Sequence, residues 1–433
     1  MRKVQYITSL VLICVVWLSA CQAGQVVERP EIEETVTVTY YRRGYVDGGT
    51  DVASVSTRQA IDKFMLNNPQ IKVEMVGIPW TDEGTAKLEA ALITQQDVNL
   101  IAIAGPSLPG YVKRGLISPA QDFMSAEDKQ DFYPGALQAS SVDGKVYAWP
   151  LWVTAVAVYA NTEIFAERGV TLPTLEDPWT YDEFIVAAQQ LTFQREDGTK
   201  VFAFSTPSIP GMFGFLPMLY MDGGRVLSED GKKFIQNQPD AVSALQKIAD
   251  LSLVYKVTPP DYGAVDQKTV VDQFMQRRSV AMIMETPATL ATLEAADFPL
   301  AVLPPPVGKL GTPVTTGAFG MFAVIDVKDD VQEQAAHLLA QYLTSTQVSK
   351  DVADWQRAPG IRKSNDTYAT TPGREIIVQL VAFGIYEVPV AIPGEVDSLY
   401  GAALQEILLG EKTAQEAMDD IQPVYQAALD DPQ

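Results

Sequence analysis

Apolar positions along the chain recur with two periods that take turns. Val36-Thr37-Val38-Thr39-Tyr40 alternates as a half-buried strand does; Ala60, Ile61, Phe64 and Met65 then recur at helical spacing in a segment capped near Ser56. Asn68-Pro69 stops that helix and leads into a strand over 71–76. A helix around 85–94 and a strand over 98–103 follow. The near-continuous apolar run 147–160 predicts one long buried strand, ending at Asn161 as a helix cap. Thr180-Tyr181-Asp182-Glu183 is a capping box opening a helix with Phe184, Ala187, Ala188 and Leu191 inward, and Thr413-Ala414-Gln415-Glu416 is a second. Between them lie a loop over 206–218, a turn at Asp222-Gly223-Gly224, helices over 239–254, 265–276 and 287–296, and strands over 280–284, 300–303 and 320–325. Strands alternating with helices predict α/β lobes with mostly parallel sheets.

The first residues follow another rule. Arg2 and Lys3 precede an apolar run, 7–18, that ends in Leu18-Ser19-Ala20-Cys21. Crossing a bilayer takes roughly 20 apolar residues, so this shorter run reads as an export signal, residues 1–20. Its last four residues resemble a bacterial lipobox, in which cleavage exposes the cysteine and its thiol takes a lipid. Cys14 leaves with the signal, so Cys21 is the sole cysteine of the mature chain and no internal disulfide forms. Residues 21–34 read as a lipidated tether. The expected location is therefore outside the cell interior, anchored on the outer face of the bacterial cytoplasmic membrane or on the periplasmic side.

Composition narrows the function. A chain of 433 residues exceeds the roughly 250–300 that one core supports, so two lobes are expected. A net charge of −22, more negative still once Arg2 and Lys3 are removed, repels phosphate backbones and excludes nucleic acid as a partner. It also disfavours anionic ligands unless basic residues are concentrated locally. The single histidine, His337, excludes multi-histidine zinc sites and leaves little room for nucleophile–histidine catalysis; no metal or cofactor is expected. Its helical surroundings make it a structural or solvent-facing residue. With 54 acidic residues, a glycosidase-type carboxylate pair cannot be singled out.

Several segments then resemble one family in order: Phe64-Met65-Leu66-Asn67-Asn68-Pro69, Gly110-Tyr111-Val112-Lys113-Arg114-Gly115-Leu116-Ile117, Gly144-Lys145-Val146-Tyr147-Ala148-Trp149-Pro150 with Tyr159-Ala160-Asn161, Trp179-Thr180-Tyr181-Asp182-Glu183-Phe184, Phe274-Met275-Gln276-Arg277-Arg278-Ser279-Val280-Ala281-Met282 and Gly410-Glu411-Lys412-Thr413-Ala414-Gln415-Glu416-Ala417-Met418. Taken in sequence they resemble the extracellular solute-binding proteins of ABC importers, the sugar-binding group that includes maltose-binding protein. The resemblance implies a two-lobed periplasmic-binding-protein fold of type II-like form, each lobe a mostly parallel sheet flanked by helices, with a hinge that closes on ligand. It places the N-lobe at 35–147 and 307–344 and the C-lobe at 148–303 and 347–433, with crossings near 147–150, 304–306 and 344–346. It implies a sugar-like small molecule, ABC permease subunits as partners, a monomer and no catalysis. A non-sugar receptor (peptide, polyamine) and an exported carbohydrate-active enzyme are the alternatives.

Sugar sites pair aromatic platforms with hydrogen-bonding side chains. On that ground and by the resemblance, the candidate contacts are Tyr41 and Arg42 after the first strand, Trp80, Ser107, Trp152 and Thr154 after the first crossing, Phe213, Glu285, Gly317, Trp355 and Tyr400. Trp149 and Trp179 read as packing residues. Arg42 suits hydroxyls or an acid group on the ligand. Thr154 stands where the sugar-binding group holds a carboxylate. Glu285-Thr286-Pro287-Ala288 replaces the family's frequent Gly-Pro-Trp, which argues against maltodextrins and leaves Glu285 for hydroxyls or a cationic group.

Overall fold

The computed structural model describes residues 32–79, 82–94, 98–207, 214–352, 355, 358–386, 390 and 392–430. The expected export signal, Cys21, Trp80 and Phe213 lie outside the described residues. The strands are β1 (Val36–Arg43), β2 (Ile71–Ile78), β3 (Leu100–Ala104), β4 (Ile117–Ser118), β5 (Ser141–Val142), β6 (Lys145–Val146), β7 (Ala148–Val153), β8 (Ala157–Asn161), β9 (Phe193–Gln194), β10 (Lys200–Ser205), β11 (Val280–Glu285), β12 (Leu300–Leu303) and β13 (Phe319–Ile325). They build two sheets: β2-β1-β3-β13-β4 with β7 also on β13, and β12-β8-β11-β10-β9. Each sheet carries helices on both faces and separate apolar cores. The two-lobed α/β fold is as expected.

The sheets are mixed, however, not mostly parallel. β1 pairs parallel with β2 and β3, and β10 with β11, while β13 runs against β3, β4 and β7, and β8 runs against β11 and β12. The reason is topological. β1, β2, β3, β10 and β11 run toward the hinge, as do β7 and β12, which lead into the crossings, whereas β8 and β13 start at the hinge and run away from it.

The crossings also move. The apolar run 147–160 is two strands: β7 is paired to β13 in the first sheet, and β8 belongs to the second. The chain crosses at 154–156, so 148–153 join the N-lobe. After β12, Val307 exchanges backbone bonds with Trp179 and Tyr181 and stays with the second lobe; the return crossing is at 315–318. Past 344, Val348, Val352, Trp355 and Ile361 still pack in the first lobe's core, and Tyr368 is the first to join the second. Prolines at 304–306 lack the N–H that pairs crossing strands, and the hinge is built instead where backbone donors are free.

Three segments meet there. Thr154 and Val156 donate backbone N–H to Ala318 and Thr316 at 2.9 Å each, and Thr315 and Ile385 add a second ladder through Ile385 N–H to Thr315 O at 2.8 Å. Side chains lock it: Thr315 Oγ1 donates to Val156 O at 2.6 Å and Thr316 Oγ1 to Ile385 O at 2.8 Å.

Local signals explain other elements. Both capping boxes form, with Thr180 N–H on Glu183 and Thr413 N–H on Glu416, and Asn161 Oδ1 caps the next helix. The first helix, Val52–Asn67, starts earlier than expected because Asp51, not Ser56, accepts the free Ser54 N–H.

Candidate functional site

Strand direction decides where a ligand can sit. β1, β2, β3 and β7 end on the edge where β13 begins, and β10, β11 and β12 end beside the start of β8. The carboxyl ends of both sheets therefore converge on the hinge, the crevice in which open α/β sheets hold ligands.

Trp152 lies at that edge on the last turn of β7. Its indole lies across Gly320 of β13, where a Cβ would stand 2.1 Å from Trp152 Cε2. Only the missing side chain lets the ring lie there, half-buried. Trp152 also bridges to Gly360, and Val153 N–H bonds Pro359 O at 3.1 Å, which ties the loop after Trp355 to this face.

Arg42 ends β1 on the same face of the sheet. Its Nη1 donates to Tyr40 Oη at 3.1 Å and its guanidinium carbon stands 5.5 Å from the ring of Trp355. Trp355 is buried, with Nε1–H on Leu343 O at 3.1 Å. Burial pushes the Tyr40 phenol up, against the pull of Arg42. The structure thus brings Arg42 and Trp355 into contact, on the face that also carries Trp152.

Thr154 and Gly317 meet in the hinge itself. The Thr154 hydroxyl accepts Ala318 N–H at 2.7 Å, and a Cβ at Gly317 would stand 2.0 Å from Thr154 O. Both are engaged in hinge structure. Ser107 is exposed in the short turn Gly105–Ser107 after β3, on the cleft edge. Tyr41 points to the opposite face of β1 and packs, half-buried, with Tyr111 and Ile101.

Glu285 ends β11 beside Ala157, on the hinge side of the second lobe. Its Oε2 takes Thr286 N–H, Gln267 Nε2–H and Thr289 Oγ1–H at 3.0, 2.9 and 3.3 Å, which ties it to the start of the helix Pro287–Ala295. Burial pushes its carboxyl up, and the three donors pull it down. Tyr400 stands apart from the first-lobe group: it packs on Phe234 and Tyr425 at 6.2 and 5.5 Å between ring centres, on the second lobe's core.

Tyr386 and Gly320 escaped the sequence. Tyr386 stacks on Phe319 at 4.9 Å and sends its hydroxyl to Thr154 O at 3.4 Å; nothing local in Phe383-Gly384-Ile385-Tyr386 signals a hinge strand. Gly320, beside a half-buried tryptophan, was detectable only by pairing β13 with β7.

A family model described as bacterial extracellular solute-binding protein matches residues 59–374. The chain belongs to the bacterial extracellular solute-binding proteins. Among relatives of this solute-binding protein, a Brucella abortus protein that carries the name of a binding protein is 25% identical over 265 residues, 61% of this chain and 61% of its own length. The diacetylchitobiose binding protein DasA of Streptomyces coelicolor is 26% identical over 172 residues, 39% of this chain and 36% of that one. A solved ABC substrate-binding protein of Listeria monocytogenes, in complex with cycloalternan, has a TM-score of 0.76 at 20% identity and covers 92% of this solute-binding protein and 100% of its own chain. That likeness shows the fold.

Proposed function

We propose that the chain is the substrate receptor of an ABC importer. It takes a carbohydrate (mono- or oligosaccharide, or polyol) between the lobes and hands it to a membrane permease. The observation that carries this is Trp152, half-buried with its indole over Gly320 at the converging strand ends, a placement that suits a platform for the apolar face of a sugar ring. Arg42 on the same face and exposed Ser107 on the cleft edge supply hydrogen-bond donors. The Streptomyces relative and the Listeria structure, both carbohydrate binders by name, support the ligand class.

The rest of the reading follows from that role. The protein is exported, held by lipid on Cys21 through its tether, and works as a monomer that meets the permease. It breaks no bond, so the ligand leaves unchanged. A thermal-shift screen of the chain from Gln22 onward against sugars, polyols, amino acids, peptides and polyamines tests it. A ligand at a hundred times its dissociation constant adds about 2.7 kcal/mol of stability. A carbohydrate or polyol hit recovered intact is expected. A peptide or polyamine hit moves the ligand class, and a consumed carbohydrate makes the chain an enzyme.

A further inference from the structure

We propose that the ligand is an acidic sugar, a uronate-bearing mono- or oligosaccharide, whose carboxylate is received by Arg42; this rests on the carbohydrate reading above. The guanidinium of Arg42 is half-buried at the ligand-facing end of β1, yet its contacts are a phenol and an indole: Tyr40 Oη on Nη1, and the Trp355 ring, whose centre lies 5.5 Å from the guanidinium carbon. Among the described residues no acidic side chain pairs with it, in a chain of 54 acidic residues. The guanidinium of Arg362 in the same lobe, more deeply buried, has both Asp128 and Asp131. A buried cation ordinarily acquires such a partner. Arg42 is instead oriented by its contact with the Trp355 ring and its one bond, with Nε and Nη2 left for something outside the protein. A planar fork of that kind matches a carboxylate with two parallel hydrogen bonds.

Register places this fork at the reach of one sugar ring from the platform. Tyr41 pairs with Ile101, so Arg42 is level with Ala102, and Ala102 pairs with Phe322. Tyr40 and Phe322 touch edge to face at 5.7 Å, which fixes them, and with them Arg42 and Gly320, on one face of the sheet. Gly320 lies two strands across and two residues nearer the cleft. With strands ~4.8 Å apart and ~3.3 Å of rise per residue, the two backbone positions are on the order of 12 Å apart. Two long side chains and a single pyranose fill that span: the ring on Trp152, its carboxylate on Arg42. The charge of the whole molecule, −22, repels anions from the surface in general, and the adjacent Arg42 and Arg43 are the local concentration that offsets it.

The test uses the exported protein purified with its N-terminus intact. Calorimetric titration compares matched pairs that differ only at C6: galacturonate with galactose, glucuronate with glucose, and digalacturonate with the neutral galactose disaccharide. At least one acid member is expected to bind at least tenfold more tightly than its neutral partner. Arg42→Gln is expected to erase that ratio, while Arg42→Lys keeps part of it. A merely structural Arg42 would lower both members of a pair together and leave the ratio intact, which overturns the proposal. So does a neutral sugar that binds as tightly as its acid, and that outcome leaves the carbohydrate reading standing. No binding by any carbohydrate, acid or neutral, overturns both.

Discussion

The indole of Trp152 occupies the space that any side chain at Gly320 would need, with a Cβ there only 2.1 Å from the ring. Gly320→Ala is therefore expected to lift the ring and tilt the platform. The cost in stability is about 1–3 kcal/mol, as for other overpacked sites, and ligand affinity falls at least tenfold. Calorimetry and urea denaturation on the same preparation check both; a variant that binds normally puts the platform elsewhere.

Trp152 and Tyr400 were equivalent candidates in the sequence and separate in the structure. Trp152→Ala is expected to remove most ligand stabilisation and to leave the ligand-free melting temperature nearly unchanged, because its ring is half-exposed at the cleft edge. Tyr400→Ala cuts an aromatic cluster with Phe234 and Tyr425 and is expected to cost about 2 kcal/mol of stability without ligand. Denaturation midpoints of the two variants distinguish the roles.

His337 is a structural residue of the first lobe. Trp149 Nε1–H, which can only donate, points at its Nδ1 at 3.0 Å, and Ser118 Oγ lies 3.0 Å from its Nε2. The ring is held as the neutral tautomer with the proton on Nε2. Phe123 stacks on it at 3.7 Å. His337→Phe leaves the buried Trp149 Nε1–H unpaired and takes one of two partners from Ser118, which also bonds Glu333, and is expected to cost about 1–3 kcal/mol. Nitrogen NMR of the one histidine checks the tautomer directly; a proton found on Nδ1 contradicts the bond to Trp149.

Glu333 sets a pH dependence. Burial, and then the neighbouring Asp326 carboxyl, push it up to about 7. The folded chain thus holds this proton more tightly than the unfolded one, whose carboxyl titrates near ~4.3. Its contribution to stability is full at low pH and is lost as pH rises through about 7. Asp326, pushed up by burial but held low overall by its bonds to Lys328 and Glu333, works in the opposite sense and loses its contribution only in acid. Glu333→Gln is expected to flatten the fall in urea midpoint between pH 5 and pH 8. An unchanged slope removes Glu333 from the account.

Local chemistry was legible in the sequence and tertiary routing was not. The capping boxes at Thr180 and Thr413 and the cap at Asn161 form as written, because each is a contact within three residues. Trp179 packs between Phe165 and Phe184, as its place beside a cap implied. The run 147–160 hid a change of sheet. Both strands and the crossing between them are shielded, so no polar interval marks the break except Thr154, whose hydroxyl is spent on Ala318. The position of Arg42 after the first strand was readable; its contact with the Trp355 ring was not, since the two are brought together only by the last part of the chain returning to the first lobe. Glu285 illustrates the reverse case. A carboxylate beside Pro287 read as a ligand group, and the structure spends one of its oxygens on a helix end.

A carbohydrate bound at Trp152 is expected to close the two lobes about the hinge at 154–156, 315–318 and 383–386. Small-angle X-ray scattering of the chain from Gln22 onward, with and without a saturating sugar from the stabilising set, tests it most directly. The radius of gyration is expected to fall with ligand, and to stay unchanged for Trp152→Ala at the same concentration. Scattering that stays the same when the wild-type protein is saturated would contradict it.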